Sequence, residues 1–384
     1  MFMERHQGQK GMVRSEFTAC FKRNALTIRP RGTLTKTERL DYIKAVKCLQ
    51  SKPSRYPSTM VPGAKSRVDD FTATHINQTL TIHGTGNFLG WHRYYVWLYE
   101  QALQDECGYK GTQPVRASPP LSSHMPTNNH HTQYWDWTIT AESGLSTSPI
   151  FDGSETSMSG NGHPIPNQQP IETFAGPSDA PPVIIPAGTG GGCVASGPFQ
   201  NLTINLGPVA LDVPGRLRLS PPTGNPFAYN PRCLKRDLTD AVNRAFSNAT
   251  SVLNTIIHSP NIDAFQTTLQ IGIPGKDIGI HSGGHYAIGG DPGRDIFVSP
   301  GDPVFYLHHA NVDRVWWMWQ MLDEKERVWS EGGAIAGTRT IGNHPPSENA
   351  TLEDFVDYGF AAGPSRRLGE VISTRGGPFC YVYM

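Results

Sequence analysis

The chain has 384 residues and a mass of 42.1 kDa, with 33 basic and 33 acidic residues. This balance of charge argues against a general electrostatic attraction to nucleic acid or to an anionic membrane. No apolar run is long enough to span a bilayer, and no shift in composition divides the chain, so we expect one principal domain with a large core.

Cysteines and glycosylation sequons indicate the compartment. The chain has an even number of cysteines, at Cys20, Cys48, Cys107, Cys193, Cys233 and Cys380, and four N-x-S/T sequons, at Asn77, Asn201, Asn248 and Asn349. Both features favour secretion and disulfide formation, although residues 1–19 lack the apolar segment of a signal peptide and are predicted to be a disordered tail. Spacing does not select the pairing, and we predict only Cys193 with Cys233, from their loop settings.

Four helices are predicted in the first two thirds of the chain. Residues 35–49 have a capping box formed by Thr35 and Glu38 and one apolar stripe. Residues 67–82 and 91–106 form two more helices, joined by a glycine-containing loop. A fourth helix spans residues 237–258, capped by Asp237. Between these helices, residues 153–192 are rich in Gly, Pro and Ser and predict a long ordered loop rather than a helix or strand. Residues 202–213 could pair as short strands.

Three histidines are placed by the second and third helices. His75 lies in the middle of helix 67–82, His83 follows its end, and His92 falls in the first turn of helix 91–106. A single mid-helix histidine is more often a core or surface residue, so His75 becomes a ligand candidate only because the other two follow it.

A second group lies near the C-terminus. His281 and His285 are four residues apart, which places both imidazoles on one helical face. After a loop rich in Gly and Pro, His308 and His309 lie in an apolar run with helical spacing. Neutral imidazole suits copper, zinc, iron and nickel. One isolated triad would indicate zinc, but two triads without an obvious carboxylate ligand favour a pair of copper ions.

Several segments resemble the tyrosinase, catechol oxidase and haemocyanin family of type 3 copper proteins. These are GNFLGWHRYYVWLYEQAL, QYWDWT and DPVFYLHHANVDRVWWMWQ, while SPIFDGSETSMSGNG and NPRCLKRDL resemble its short fungal branch. The resemblance covers residues 20–384 and implies a mainly α fold. Its core would be an antiparallel four-helix bundle enclosing a dinuclear copper site, with long Gly/Pro-rich loops and a few short strands.

The resemblance also implies the ligands. Copper A would be held by His75, His83 and His92, and copper B by His281, His285 and His309. His308 would then orient a ligand or support the substrate, with simple packing as an equal alternative.

The implied activity is oxidation of o-diphenols to o-quinones, with O2 as co-substrate reduced to water. Hydroxylation of monophenols needs a base, and tyrosinases commonly provide a Glu before the first copper B histidine and an Asn just after it. Here Ser282 follows His281, and Gln270 and Gln266 are the nearest analogues of the Glu, so we predict weak or absent monophenolase activity. Tyr286 and Ile296 are expected to shape substrate entry, or only to pack.

Three other functions compete with this interpretation. A true tyrosinase would also hydroxylate monophenols. A haemocyanin-like oxygen carrier uses the same copper pair but occurs in larger chains with shielding domains. A zinc hydrolase would need a carboxylate base beside one triad. A small phenolic substrate is the expected partner, and neither nucleic acid nor a membrane is expected. The sequence does not indicate the oligomeric state.

Residues 115–133 interrupt the family pattern, which joins the equivalents of Gln113-Pro114 directly to Tyr134. We hypothesise that this segment is a retained intron. Its length of 19 residues preserves the reading frame, Val115 requires a codon that begins with the donor dinucleotide GT, and Gln133 is compatible with a CAG acceptor. A mature transcript without these codons would support the hypothesis, and a transcript that retains them would refute it.

Overall fold

The computed structural model describes residues 26–111, 132–173, 181–211 and 224–384. The predicted N-terminal tail and residues 115–131 of the suspected insertion lie outside the described residues, so both predictions stay predictions. In the part of the chain that is described, no helix has both the length and the apolar composition needed to cross a membrane.

The described elements are mainly helical. The helices are α1 (Lys36–Ser51), α2 (Arg67–Ile82), α3 (Phe88–Cys107), α4 (Trp137–Ser143), α5 (Asp240–Phe246), α6 (Ala249–Ile257), α7 (Ile262–Gln270), α8 (Gly279–Ile288), α9 (Val304–Met321), α10 (Glu324–Arg327) and α11 (Glu331–Ala334). The strands are β1 (Leu26–Pro30), β2 (Thr132–Tyr134), β3 (Gly162–Pro164), β4 (Ile171–Thr173), β5 (Val183–Ile185), β6 (Gly191–Val194), β7 (Thr203–Ile204), β8 (Arg232–Cys233), β9 (Phe355–Val356), β10 (Arg366–Arg367) and β11 (Tyr381–Tyr383).

Helices α2, α3, α8 and α9 form the bundle around the histidines, as the predicted fold class requires. Helix α3 packs against α9, and α8 is supported from outside by α5 and α7. Strand β1 lies in the middle of a three-stranded parallel sheet, between β11 and β2. The sheet thereby joins the start of the described chain to its end and to the segment that precedes α4.

Local sequence signals explain the first helices. The predicted capping box of Thr35 and Glu38 is present at the start of α1, and Ser66 and Asp69 form a second one at the start of α2. Helix α3 begins at Phe88, three residues before the predicted start, so His92 lies in its second turn and not in its first. Gly90 lies within this helix at a close approach, because a Cβ there would come within 2.7 Å of Leu368 Cδ2.

The prediction of one helix over residues 237–258 was wrong in two ways. The segment forms two helices, α5 and α6, because the Asn248 side chain accepts the N–H of Ser251 and starts a new helix. Asp237 is not a cap, since its carboxylate accepts the N–H groups of Gly188 and Gly190. Helix α7, which carries Gln266 and Gln270, was not predicted. Residues 153–192 were predicted to have no strand, but they contain β3, β4 and β5, and β4 pairs with β5.

Two disulfides join distant segments of the described chain. Cys48 is bonded to Cys107, which ties the end of α3 to α1. Cys193 is bonded to Cys233, which confirms the predicted pair and links β6 to β8. The segment after β8 supplies backbone hydrogen bonds to the end of α8, so this disulfide fixes the support of one histidine-bearing helix.

Candidate metal centre

The first histidine group is formed by His75, His83 and His92, which are all buried. One ligand nitrogen from each residue lies within 4.8 Å of the others, and the ring centroids are 5.0–5.7 Å apart. Helix α2 provides His75 and ends just before His83, and the next helix provides His92. The structure therefore brings the three predicted residues together.

The second group has four members: His281, His285, His308 and His309. Helix α8 carries the first two on one face, and α9 carries the adjacent pair. Nε2 of His285 lies 3.3 Å from Nε2 of His309. Two nitrogens bound at about 2.0 Å to one ion in tetrahedral geometry would be separated by roughly this distance.

Backbone carbonyls fix the orientation of four imidazoles. In each case Nδ1–H donates to a backbone carbonyl. His75 donates to Phe297 at 2.9 Å, His83 to Thr79 at 3.0 Å, His92 to Phe88 at 2.8 Å and His285 to Gly293 at 3.0 Å. Because a carbonyl can only accept, each of these rings keeps its lone pair on Nε2, the atom left for a metal.

The two groups face each other across a short gap. The rings of His92 and His309 stack with centroids 4.5 Å apart, and those of His83 and His281 are 6.2 Å apart. Phe88 contacts His92 and His281, and Phe305 contacts His75 and His309. We did not predict either phenylalanine, although each lies four residues before a histidine on the same helical face (F-x-x-x-H).

Six of the seven clustered imidazoles are held neutral. Burial, followed by the neighbouring imidazoles, lowers the pKa of His75, His92, His281, His308 and His309 well below its usual value. Burial also lowers the pKa of His285 to about 4, although the Gly293 carbonyl opposes this shift. Neutral imidazole is the form that binds a metal, so the centre is ready to bind at neutral pH.

His308 differs from its neighbours in the atom that carries its proton. The indole N–H of Trp137 donates to His308 Nδ1 at 3.0 Å. An indole nitrogen can only donate, so Nδ1 is the acceptor and the neutral ring carries its hydrogen on Nε2. His308 therefore lacks the Nε2 lone pair that its neighbours offer, and its ring packs against His281 and His285.

The donor set fits the copper pair that the sequence indicates. Nε2 of His75, His92 and His281 is buried without a hydrogen-bond partner among the described residues. Leaving a buried polar atom without a partner costs free energy, and a bound metal ion removes that cost. Within the described part of the chain both groups contain only histidine, and all-nitrogen sites suit copper.

The predicted residues beside His281 are committed to other contacts. The Ser282 hydroxyl donates to the backbone carbonyl of Gln270 at 2.9 Å. The side-chain oxygen of Gln270 accepts the N–H of Gly84, also at 2.9 Å. Through its backbone carbonyl and its side-chain oxygen, Gln270 therefore links the helix that carries His281 to the loop after His83.

Tyr286 and Ile296 lie in different settings. Tyr286 is buried, and its hydroxyl lies 2.6 Å from Oγ1 of Thr173 in β4. Ile296 is partly exposed in the loop after α8. We also missed Asp277, a partly exposed carboxylate four residues before His281, which accepts the N–H of Gly279 at the start of α8.

Comparison with known proteins identifies the tyrosinase family along most of the chain. The family model "Common central domain of tyrosinase" matches residues 65–322. "Tyrosinase P" of Aspergillus terreus is 41% identical over 354 residues, which cover 92% of this chain and 90% of that protein. "N-acetyl-6-hydroxytryptophan oxidase ivoB" of Emericella nidulans is 39% identical over 380 residues, with 95% and 93% covered.

A solved structure is similar over nearly the whole fold. It is a point mutant of a polyphenol oxidase from Thermothelomyces thermophila, 44% identical to this chain. The match has a TM-score of 0.79 and covers 94% of this chain and 89% of the other.

Proposed function

Because the chain belongs to the tyrosinase family of copper oxidoreductases, we propose that it oxidises o-diphenols to o-quinones, with weak or no hydroxylation of monophenols. The observation that carries this proposal is the pair of facing histidine groups, in which Nε2 of His75, His92 and His281 is buried without a hydrogen-bond partner among the described residues. In the proposed reaction each diphenol loses two electrons and two protons, and two diphenols reduce one O2 to two molecules of water.

We assign copper A to His75, His83 and His92, and copper B to His281, His285 and His309. Bound copper supplies the transfer of electrons between diphenol and O2. The chain's own contribution is to orient the ligand nitrogens through backbone carbonyls and to exclude water with buried aromatic rings. In the two groups His285 alone is partly exposed, so we place substrate entry on its side of the centre.

The weak monophenolase activity follows from the groups beside copper B. Removing the phenol proton requires a base. Ser282 and Gln270 are neutral, and they are hydrogen-bonded to each other and to Gly84. Gln270, the nearest analogue of the Glu that tyrosinases commonly have, therefore cannot act as the base. The alternative function, a true tyrosinase, is favoured by one observation: Asp277 is a carboxylate close in sequence to His281.

Steady-state rates on 4-methylcatechol and tyramine test this proposal. We expect rapid quinone formation from 4-methylcatechol, which an oxygen carrier would not give. We expect a rate on tyramine at least about a hundredfold lower, the smallest effect usually attributed to a missing general base.

The variant Asp277→Asn serves as the control for the alternative. A rate on tyramine comparable to that on 4-methylcatechol, without a lag and lowered by Asp277→Asn, would contradict the predicted specificity and identify a true tyrosinase. Absence of quinone formation from every catechol tested would contradict the oxidase assignment itself.

A further inference from the structure

The loop after α8 runs alongside both histidine groups. At one end the carbonyl of Gly293 accepts Nδ1–H of His285, and at the other the carbonyl of Phe297 accepts Nδ1–H of His75. Only three residues separate these two anchors. Arg294 and Ile296 therefore lie in a segment whose two ends each orient one histidine, one from each proposed copper site.

The same loop lies on the accessible side of the centre. His285 is partly exposed, as are Ser282, Ile296 and Phe297, whereas His75 and His309 are buried. The one partly exposed member of the two groups is thus the histidine that the Gly293 end of this loop orients.

Charges in this loop are compensated, with one exception. Asp295 is fully buried and accepts the N–H groups of Val209, Ala210 and Phe297. Asp291 forms a two-point ion pair with Arg232. Arg294 has no side-chain hydrogen bond or ion pair with the residues that the structure describes.

The Arg294 side chain is partly buried, but its guanidinium group has no partner among the described residues. The residue is partly buried, and its Nε is buried without a partner. Its two terminal nitrogens are not buried and have no hydrogen-bond partner among the described residues, so the end of the guanidinium group is available to a ligand. Guanidinium binds carboxylate through two parallel hydrogen bonds, and partial burial strengthens such contacts.

We propose that Arg294 is an anion-binding group at the entrance to the copper centre, and that the enzyme prefers catechols that carry a carboxylate on their side chain. This inference rests on the proposed function for the identity of the ring. The aromatic hydroxyls reach the copper pair while the carboxylate stays at the loop, bound by the guanidinium group. Arg294 thus determines specificity without taking part in electron transfer.

The test uses 3-(3,4-dihydroxyphenyl)propionate and its uncharged amide, which differ only in the anionic group. Their binding to the protein loaded with Cu(I) is measured by calorimetry under argon, where no oxidant is present, and kcat/KM for both is measured in air. We expect the acid to bind at least about tenfold more tightly than the amide, close to the lower limit for hydrogen bonds to charged groups. This preference should shrink as salt is added.

Arg294→Gln should bring the ratio of the two affinities close to one. Arg39→Gln is the matched control, because Arg39 is also partly buried, has an unpartnered Nε and lies on α1, which carries none of the clustered histidines. The control should keep the wild-type preference for the acid.

Equal binding of acid and amide by the wild-type protein would overturn the inference, as would an unchanged preference in Arg294→Gln. Loss of the preference in both variants would also overturn it, since the effect would then not be specific to the loop. Failure of the wild type to oxidise any catechol would instead refute the proposed function. The two failures can be told apart, because the anaerobic affinities test Arg294 without requiring oxidation.

Discussion

Replacing His309 with asparagine is expected to lower the copper content from two ions per chain to one and to reduce the rate of catechol oxidation by roughly a thousandfold or more. The loss is large because the proposed copper pair acts as a unit, so that removing one member removes nearly the whole effect. Metal analysis and the rate of quinone formation from 4-methylcatechol, measured on the same sample, check both parts of the prediction.

The adjacent histidine provides the matched control. His308→Asn should keep both copper ions, since Trp137 fixes the proton of His308 on Nε2 and leaves that atom without a lone pair for a metal. Its rate should fall by about 10- to 100-fold, the range for residues that support a metal ligand. A variant His308→Asn with one copper, beside a variant His309→Asn with two, would reverse our assignment of copper B.

Replacing Asp313 with alanine is expected to destabilise the protein by about 3–5 kcal/mol, the cost of removing one partner from a buried ion pair. Asp313 accepts Nε–H of Arg93 at 2.5 Å, and both side chains are buried. The hydroxyls of Tyr381 and Tyr383 also donate to this carboxylate, each at 2.5 Å. Without Asp313, a buried guanidinium group loses its counter-ion and Tyr381 loses this acceptor, while Tyr383 keeps the backbone carbonyl of Ala310.

The position of this cluster explains why the effect should reach the copper centre. Arg93 follows His92 in α3, and Asp313 lies one turn after His309 in α9, so the ion pair ties together one histidine-bearing helix from each group. Chemical denaturation followed by tryptophan fluorescence measures the change in stability. Glu353→Ala, which removes the exposed ion pair with Arg367, is the control and should cost less than about 1 kcal/mol. Equal effects of the two substitutions would contradict the proposed role of the cluster.

Local sequence signals predicted the parts of the fold that local physics controls. The capping box of Thr35 and Glu38 and the spacing of His281 and His285 are visible in the sequence because residues three and four apart share a helical face. The break between α5 and α6 was also local, since Asn248 is a strong N-cap residue, but the apolar periodicity on both sides concealed it.

Long-range contacts could not be read in the same way. The proton on His308 is placed by Trp137, a residue 171 positions away, and no periodicity connects them. The carbonyls of Gly293 and Phe297 orient His285 and His75 through the backbone, so side-chain identity carries no signal for them. Arg294 lies in that same loop. The sequence alone does not show that it lacks a counter-ion among the described residues, because the partners of Asp291 and Asp295 are distant in the chain.

The most direct test of the dinuclear site is a crystal structure of the copper-loaded protein with anomalous diffraction recorded at the copper edge. We expect two copper peaks, one bound by Nε2 of His75, His83 and His92 and the other by Nε2 of His281, His285 and His309, with His308 still bonded to Trp137. A single peak would contradict the dinuclear assignment and with it the proposed oxidation of catechols, and a metal bound through His308 would contradict the assignment of the copper B ligands.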